Sequence, residues 1–252
     1  MTVGRWRAFV YLCAVIFSVL QLAFKRKHWP RTVRNVLARQ VLFTGVDAVG
    51  FVSLIAFMVG ISVVVQTQVW LTKFGQTALL GPILVMVVIR EVGPLLANFV
   101  VIGRSGTAIA TELGNMNVNG EVRVMDAMGL DPFSYLVLPR VIGVAISIFC
   151  LNVVFIFVSF VSGYLSGLLA GANTGEPGLF VESVFKSVQP ADLFNLLAKT
   201  LVPGLATGAI CCMEGLSATT VTDVPQAATR AVVRSITSLF IVSALMSLLM
   251  YL

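Results

Sequence analysis

The chain has 252 residues, of which 58% are hydrophobic and only 11% charged, with a formal net charge of +6. A water-soluble domain uses about 25% charged residues to cover its surface, and the mean hydropathy here is +0.98. A soluble globule and a disordered chain are both excluded, and the basic excess reads as membrane orientation instead of nucleic-acid binding.

The N-terminal segment, residues 1–45, is basic. Arg5 and Arg7 followed by the apolar run Ala8 to Phe24 imitate a secretory signal peptide, but Lys25-Arg26-Lys27 follows where small residues for cleavage belong. Arg7, Tyr11, Ala14, Ser18, Gln21 and Lys25 recur at alternating spacings of four and three, which lines one helical face. That pattern favours an amphipathic helix lying in the interface over a further span. His28, the single histidine, sits in a Trp- and Pro-flanked basic stretch and reads as an interfacial residue, not a ligand.

Residues 46–252 hold five runs of the roughly 20 apolar residues that a spanning helix needs. They are Ala48 to Trp70, Leu79 to Gly103, Val141 to Gly171, Leu193 to Met213 and Ser235 to Leu252. The predicted fold is therefore an all-α integral membrane protein of five transmembrane helices. Cys13, Cys150, Cys211 and Cys212 lie in apolar runs without metal-ligand spacing and read as small hydrophobes. Lys and Arg fall on alternate connections. Eight precede Asp47; Arg104, Arg123 and Arg140 follow the second run; Arg230 and Arg234 follow the fourth. The opposite side has only Lys73 and Lys186. The bias puts the N-terminus in the cytoplasm and the C-terminus outside.

Chemistry of the enzyme kind finds no support. There is no P-loop motif and no H-E-x-x-H, and one histidine cannot build a multi-histidine metal site. The costly feature is Arg90-Glu91 inside the second run, where each charge costs about 2.5–3.5 kcal/mol. Neighbours on a helix diverge by about 100°, so the two need outside partners. Two readings stand side by side: a polar contact for an amphiphile's head group, with the Arg fork suited to phosphate, or an ion pair that holds helices together. Lys199 is a third intramembrane charge. Gly81-Pro82 and Gly93-Pro94 predict local helix breaks around the pair.

Arg104 to Arg140 is predicted as a cytoplasmic loop. Within it a short helix between Asn119 and Gly129 places Val118, Val122 and Met125 on one face and Arg123 and Asp126 on another. That face suits docking in a partner's groove or packing on the chain's own cytoplasmic ends.

R-E-V-G-P-L-L-A from Arg90, G-R-S-G-T-A-I-A-T-E-L-G-N-M from Gly103, V-M-D-A-M-G-L-D-P from Val124 and A-T-R-A-V-V-R-S from Ala228 closely resemble the MlaE/YrbE permeases. These are the membrane subunits of MCE-linked ABC transporters, which move lipids between membranes. The resemblance runs from about residue 40 to the end. It implies a homodimer in a bacterial inner membrane, with a separate cytoplasmic ABC ATPase that uses the ATP, a periplasmic MCE-domain protein, in some members a STAS-domain protein, and phospholipid as cargo. No cofactor of its own and no nucleic-acid partner are expected. The family's coupling helix falls on Glu121, Val122, Met125, Asp126 and Gly129. Its lipid pocket falls on Arg90, Glu91, Val63, Gln66, Trp70, Phe74 and Lys199. Two departures stand out: Ser243 where many relatives carry Asp, and Val224-Pro225-Gln226 in place of a glycine-rich stretch. Set beside this reading is an ion- or proton-coupled secondary transporter that routes its ion past Arg90, Glu91 and Lys199.

Overall fold

A computed structural model describes residues 2–24, 30–74, 80–169, 182 and 184–251. The described residues are helices joined by short turns, with no strand among them. Five helices among them are long and apolar enough to cross a membrane: Arg31–Leu71, Gly81–Val118, Phe133–Leu168, Pro190–Leu216 and Asp223–Leu249. The five expected spans are all present. Lys25, Arg26, Lys27, His28 and Gly171 lie outside the described residues.

Helix α1 (Thr2–Phe24) is followed by α2 (Arg31–Thr44) and, after a short turn at Val46–Ala48, by α3 (Val49–Phe74). The apolar part of α1, Val10–Ala23, is shorter than the crossing helices. Leu12, Val15, Ile16, Val19 and Leu22 recur at helical spacing and pack on the core, while Tyr11, Ala14 and Gln21 face outward as the periodicity predicts. The second crossing helix is a chain of segments: α4 (Leu80–Leu84), a π-helical stretch Val85–Val92, α5 (Gly93–Val101), a second π stretch Ile102–Gly106 and α6 (Thr107–Val118). Then come α7 (Glu121–Ala127), a π turn at Phe133–Val137 leading into α8 (Leu138–Leu169), α9 (Pro190–Leu216) and α10 (Asp223–Tyr251).

Helices α3, α8, α9 and α10 pack in that order side by side, and the α4–α6 rod lies across α8, α9 and α10. Lipid is as apolar as leucine, so close backbone approach, not water exclusion, holds such helices together. Gly208 shows it: a Cβ there would stand 2.8 Å from the Cα of Val141 on α8. Gly215 would meet the carbonyl of Ala110 on α6 at 2.6 Å.

Three expectations need correction. The second helix does not end at Gly103. It continues to Val118, because α6 is docked against α9 and α10 and Asn117 Nδ2 donates to the carbonyls of Leu216 and Ala218 at 3.0 and 2.9 Å. The loop predicted over Arg104 to Arg140 is thus mostly helix. Gly93-Pro94 does not break the helix; the turns widen instead, with Gly93 N–H bonded to the carbonyl of Val88 five residues back, while Gly81-Pro82 lies in the first described turn of α4. The last span starts at Asp223, so Arg230 and Arg234 are helical residues on α10.

Candidate functional site

Arg90 and Glu91 sit at the end of the first π stretch, and each finds a partner on α9. The Arg90 Nε stands 2.6 Å from Asp192 Oδ1, and Arg90 Nη2 donates to Asp192 Oδ2 at 3.3 Å. Glu91 Oε1 accepts from Lys199 Nζ at 2.6 Å. Adjacent residues with separate partners is what their divergence around a helix requires. Asp192 and Lys199 lie seven residues, two turns, apart, so α9 presents both to the same neighbour.

Lys199 is 1% exposed and Asp192 likewise 1%, whereas Glu91 is 41% exposed. Such a buried ammonium is tolerable only if fully bonded. Its three N–H groups reach Glu91 Oε1, Ser247 Oγ at 2.7 Å and the main-chain carbonyl of Arg90 at 3.0 Å. The Ser247 hydroxyl has one proton, and both Glu91 Oε1 at 2.9 Å and the carbonyl of Ser243 at 3.0 Å are within its reach. Ser243 itself makes no charge contact; one turn later, Ser247 supplies the polar group that α10 brings to the cluster.

Proline explains why carbonyls are available here. Pro94 has no N–H, so the carbonyl of Arg90 lacks its helical donor, and Lys199 fills the vacancy. Pro203 does the same to the carbonyl of Lys199, and the buried Asn98 Nδ2 reaches it at 3.3 Å while also donating to the carbonyl of Pro94 at 2.7 Å. Asp192 also accepts from the N–H of Gln189 at 2.9 Å, capping α9 where Pro190 begins it.

The structure therefore brings Arg90, Glu91 and Lys199 together and adds Asp192 and Ser247. Asp192 escaped the sequence reading because it stands one residue before the apolar run; the Gln189-Pro190 start and its two-turn offset from Lys199 were the available signal. Ser247 carried none. Val63 packs among the apolar side chains that enclose Ile89 and Leu196. Gln66, Trp70 and Phe74 do not join the cluster. At four-residue spacing they run along the outward face of α3, all exposed, with Trp70 and Phe74 stacked at 6.2 Å and Lys73 Nζ 5.2 Å from the Trp70 ring.

The short helix α7 is bracketed by Gly120 at φ 78° and Gly129 at φ 74°, a left-handed backbone that favours glycine. The Leu130 N–H closes it on the carbonyl of Met125 at 3.0 Å. Within this chain its apolar face meets the packing expectation: Val122 and Met125, half-buried, lie against the chain's own core. Glu121, Arg123, Val124, Asp126, Met128 and Gly129 face outward.

Comparison with known proteins bears on this arrangement. The family described as Permease MlaE matches residues 37–249. A probable ABC transporter permease protein of Rickettsia conorii is 30% identical over 207 residues, 82% of this chain and 79% of that protein. Protein TRIGALACTOSYLDIACYLGLYCEROL 1, chloroplastic, of Arabidopsis thaliana is 30% identical over 231 residues, 91% of this chain and 64% of its own. The intermembrane phospholipid transport system permease protein MlaE of Haemophilus influenzae is 27% identical over 213 residues, 83% of this chain and 78% of that protein. With five crossing helices and a family match over most of its length, this multi-pass membrane protein belongs to the MlaE permease family.

Proposed function

We propose that this chain is the membrane subunit of an ABC transporter that moves phospholipid between a bacterial inner membrane and a periplasmic MCE-domain protein. The observation that carries the reading is Glu91. Its carboxylate is bonded on one side to a sealed lysine and is open on the other, on a helix that crosses the bilayer. A group so placed costs several kcal/mol unless the open side meets a wet or polar occupant. An amphiphile's head group, with its acyl chains on apolar helix faces, supplies that occupant. The relative named for intermembrane phospholipid transport supports this choice of cargo.

Two copies of the chain enclose the cargo in this reading, so the exposed Gln66, Trp70 and Phe74 face the chamber between them. The N-terminus is cytoplasmic, and a partner ATPase meets the outward face of α7. Nucleotide-driven closure reaches the chamber through the α6 rod. The test is phospholipid transfer by the full complex in proteoliposomes. Transfer is expected to require ATP and to fall in Arg90→Ala and Glu91→Ala with the complex still assembled. Transfer driven by a proton or sodium gradient without the ATPase would establish the secondary-transporter reading in its place.

A further inference from the structure

At the end of the bundle where α9 gives way to α10 there is a cleft of about 590 Å³, between α1 and the crossing helices. One wall is apolar, from Val15 on α1, Phe133, Val137 and Met213; Tyr11 stands beside it. Glu214, Arg230 and Arg234 also line the cleft. Glu214 is 8% exposed and takes both guanidinium groups, Arg230 Nε at 3.3 Å on one oxygen and Arg234 Nη1 on the other. Two cations share one carboxylate, leaving a net positive charge. Each arginine spends one nitrogen on Glu214, and Arg234 remains 58% exposed. A guanidinium has five N–H donors in a fork that matches phosphate.

We infer that this cleft binds an anionic phospholipid of the adjoining leaflet, with the phosphate on Arg230 and Arg234 and an acyl chain between Val15 of α1 and the side chains of Phe133 and Met213. A soluble anion has no use for that wall. The outer face of α1 exposes Val10, Phe17 and Leu20, which places the helix among lipid and opens the cleft to it. Basic clefts between membrane helices at the positively charged face select anionic head groups. The site is distinct from the Arg90–Glu91 cluster: Glu214 is fifteen residues beyond Lys199 on α9, about 22 Å along the helix.

The experiment titrates the purified full-length protein in detergent with dioleoyl phosphatidylglycerol or dioleoyl phosphatidylcholine and counts retained lipid by native mass spectrometry. Phosphatidylglycerol is expected to be held about tenfold more tightly, the equivalent of one charge-assisted hydrogen bond. The triple variant Glu214→Gln/Arg230→Gln/Arg234→Gln should lose that preference; Glu214 is changed too so that no unpaired carboxylate stays buried. Tyr11→Asp, at an exposed position on the rim, should lower phosphatidylglycerol retention with the arginine cluster intact, which covers poor folding of the triple variant. Arg123→Gln, an exposed arginine of α7 outside the cleft, should keep the preference. Equal retention of the two lipids, or a preference that survives both variants, overturns the inference. Displacement of phosphatidylglycerol by glycerol 3-phosphate at equal concentration also overturns it, in favour of a soluble phosphate.

Discussion

The side chain of Lys199 donates to the main-chain carbonyl of Arg90, 109 residues away, at 3.0 Å. That carbonyl is the one Pro94 strips of its donor, and the carbonyl of Lys199, stripped by Pro203, is served in turn by Asn98. Two prolines on neighbouring helices thus make two acceptors, and each is filled from the other helix. The exchange fixes the register of the α4–α6 rod on α9 at the depth of the charges.

Replacing Lys199 by Met should destabilise the protein by about 1–3 kcal/mol, because the buried Arg90 carbonyl and the half-open Glu91 lose their partner together. Thermal unfolding in detergent is the measurement. Adding Glu91→Gln should recover part of the loss, since a neutral amide tolerates the vacancy better than a carboxylate. No recovery would mean that Lys199 acts through packing alone.

Asn98→Leu should cost about 1–2 kcal/mol by leaving the buried carbonyl of Lys199 without a donor. In a Pro203→Ala background, residue 203 regains an N–H for the Lys199 carbonyl, and the same substitution should cost less. A double-mutant cycle gives the coupling; strict additivity would argue against the exchange.

Asp192→Asn keeps the shape of the α9 cap but removes the charge that holds Arg90. Lipid transfer should fall more steeply than melting temperature, because the guanidinium is freed to point elsewhere. Equal losses in both would assign Asp192 to the cap only.

The two faces of α7 make opposite predictions. Val124→Asp with Met128→Asp alters the outward face and should release the ATPase on co-purification while the permease melts as before. Val122→Asp with Met125→Asp places carboxylates against the core and should lower stability itself, by about 2 kcal/mol or more.

The five spans were legible because a membrane helix must be apolar for its whole crossing. The extension from Arg104 to Val118 was not. Its residues carry the mixed polarity of a loop, and what keeps them helical is contact with α9 and α10, above all Asn117 reaching over to Leu216 and Ala218. Arg90, Glu91 and Lys199 announced themselves as charges in apolar runs. Ser247 looked like any of the serines at 235, 238, 243 and 247, and only the tertiary approach of α10 separates it from them. The periodicity of Val122 and Met125 located an apolar face correctly but was silent on which surface it meets.

From Gly81 to Val118 the chain stays helical for 38 residues, about 57 Å at the α-helical rise. A bilayer's oily layer is about 30 Å deep, so this strut reaches well beyond it and ends two residues, Asn119 and Gly120, short of α7. In the proposed mechanism, a push on α7 would reach Arg90 and Glu91 along this one helix. The widened turns at Val85–Val92 and Ile102–Gly106 are its compliant points, and the first of them carries the two charges.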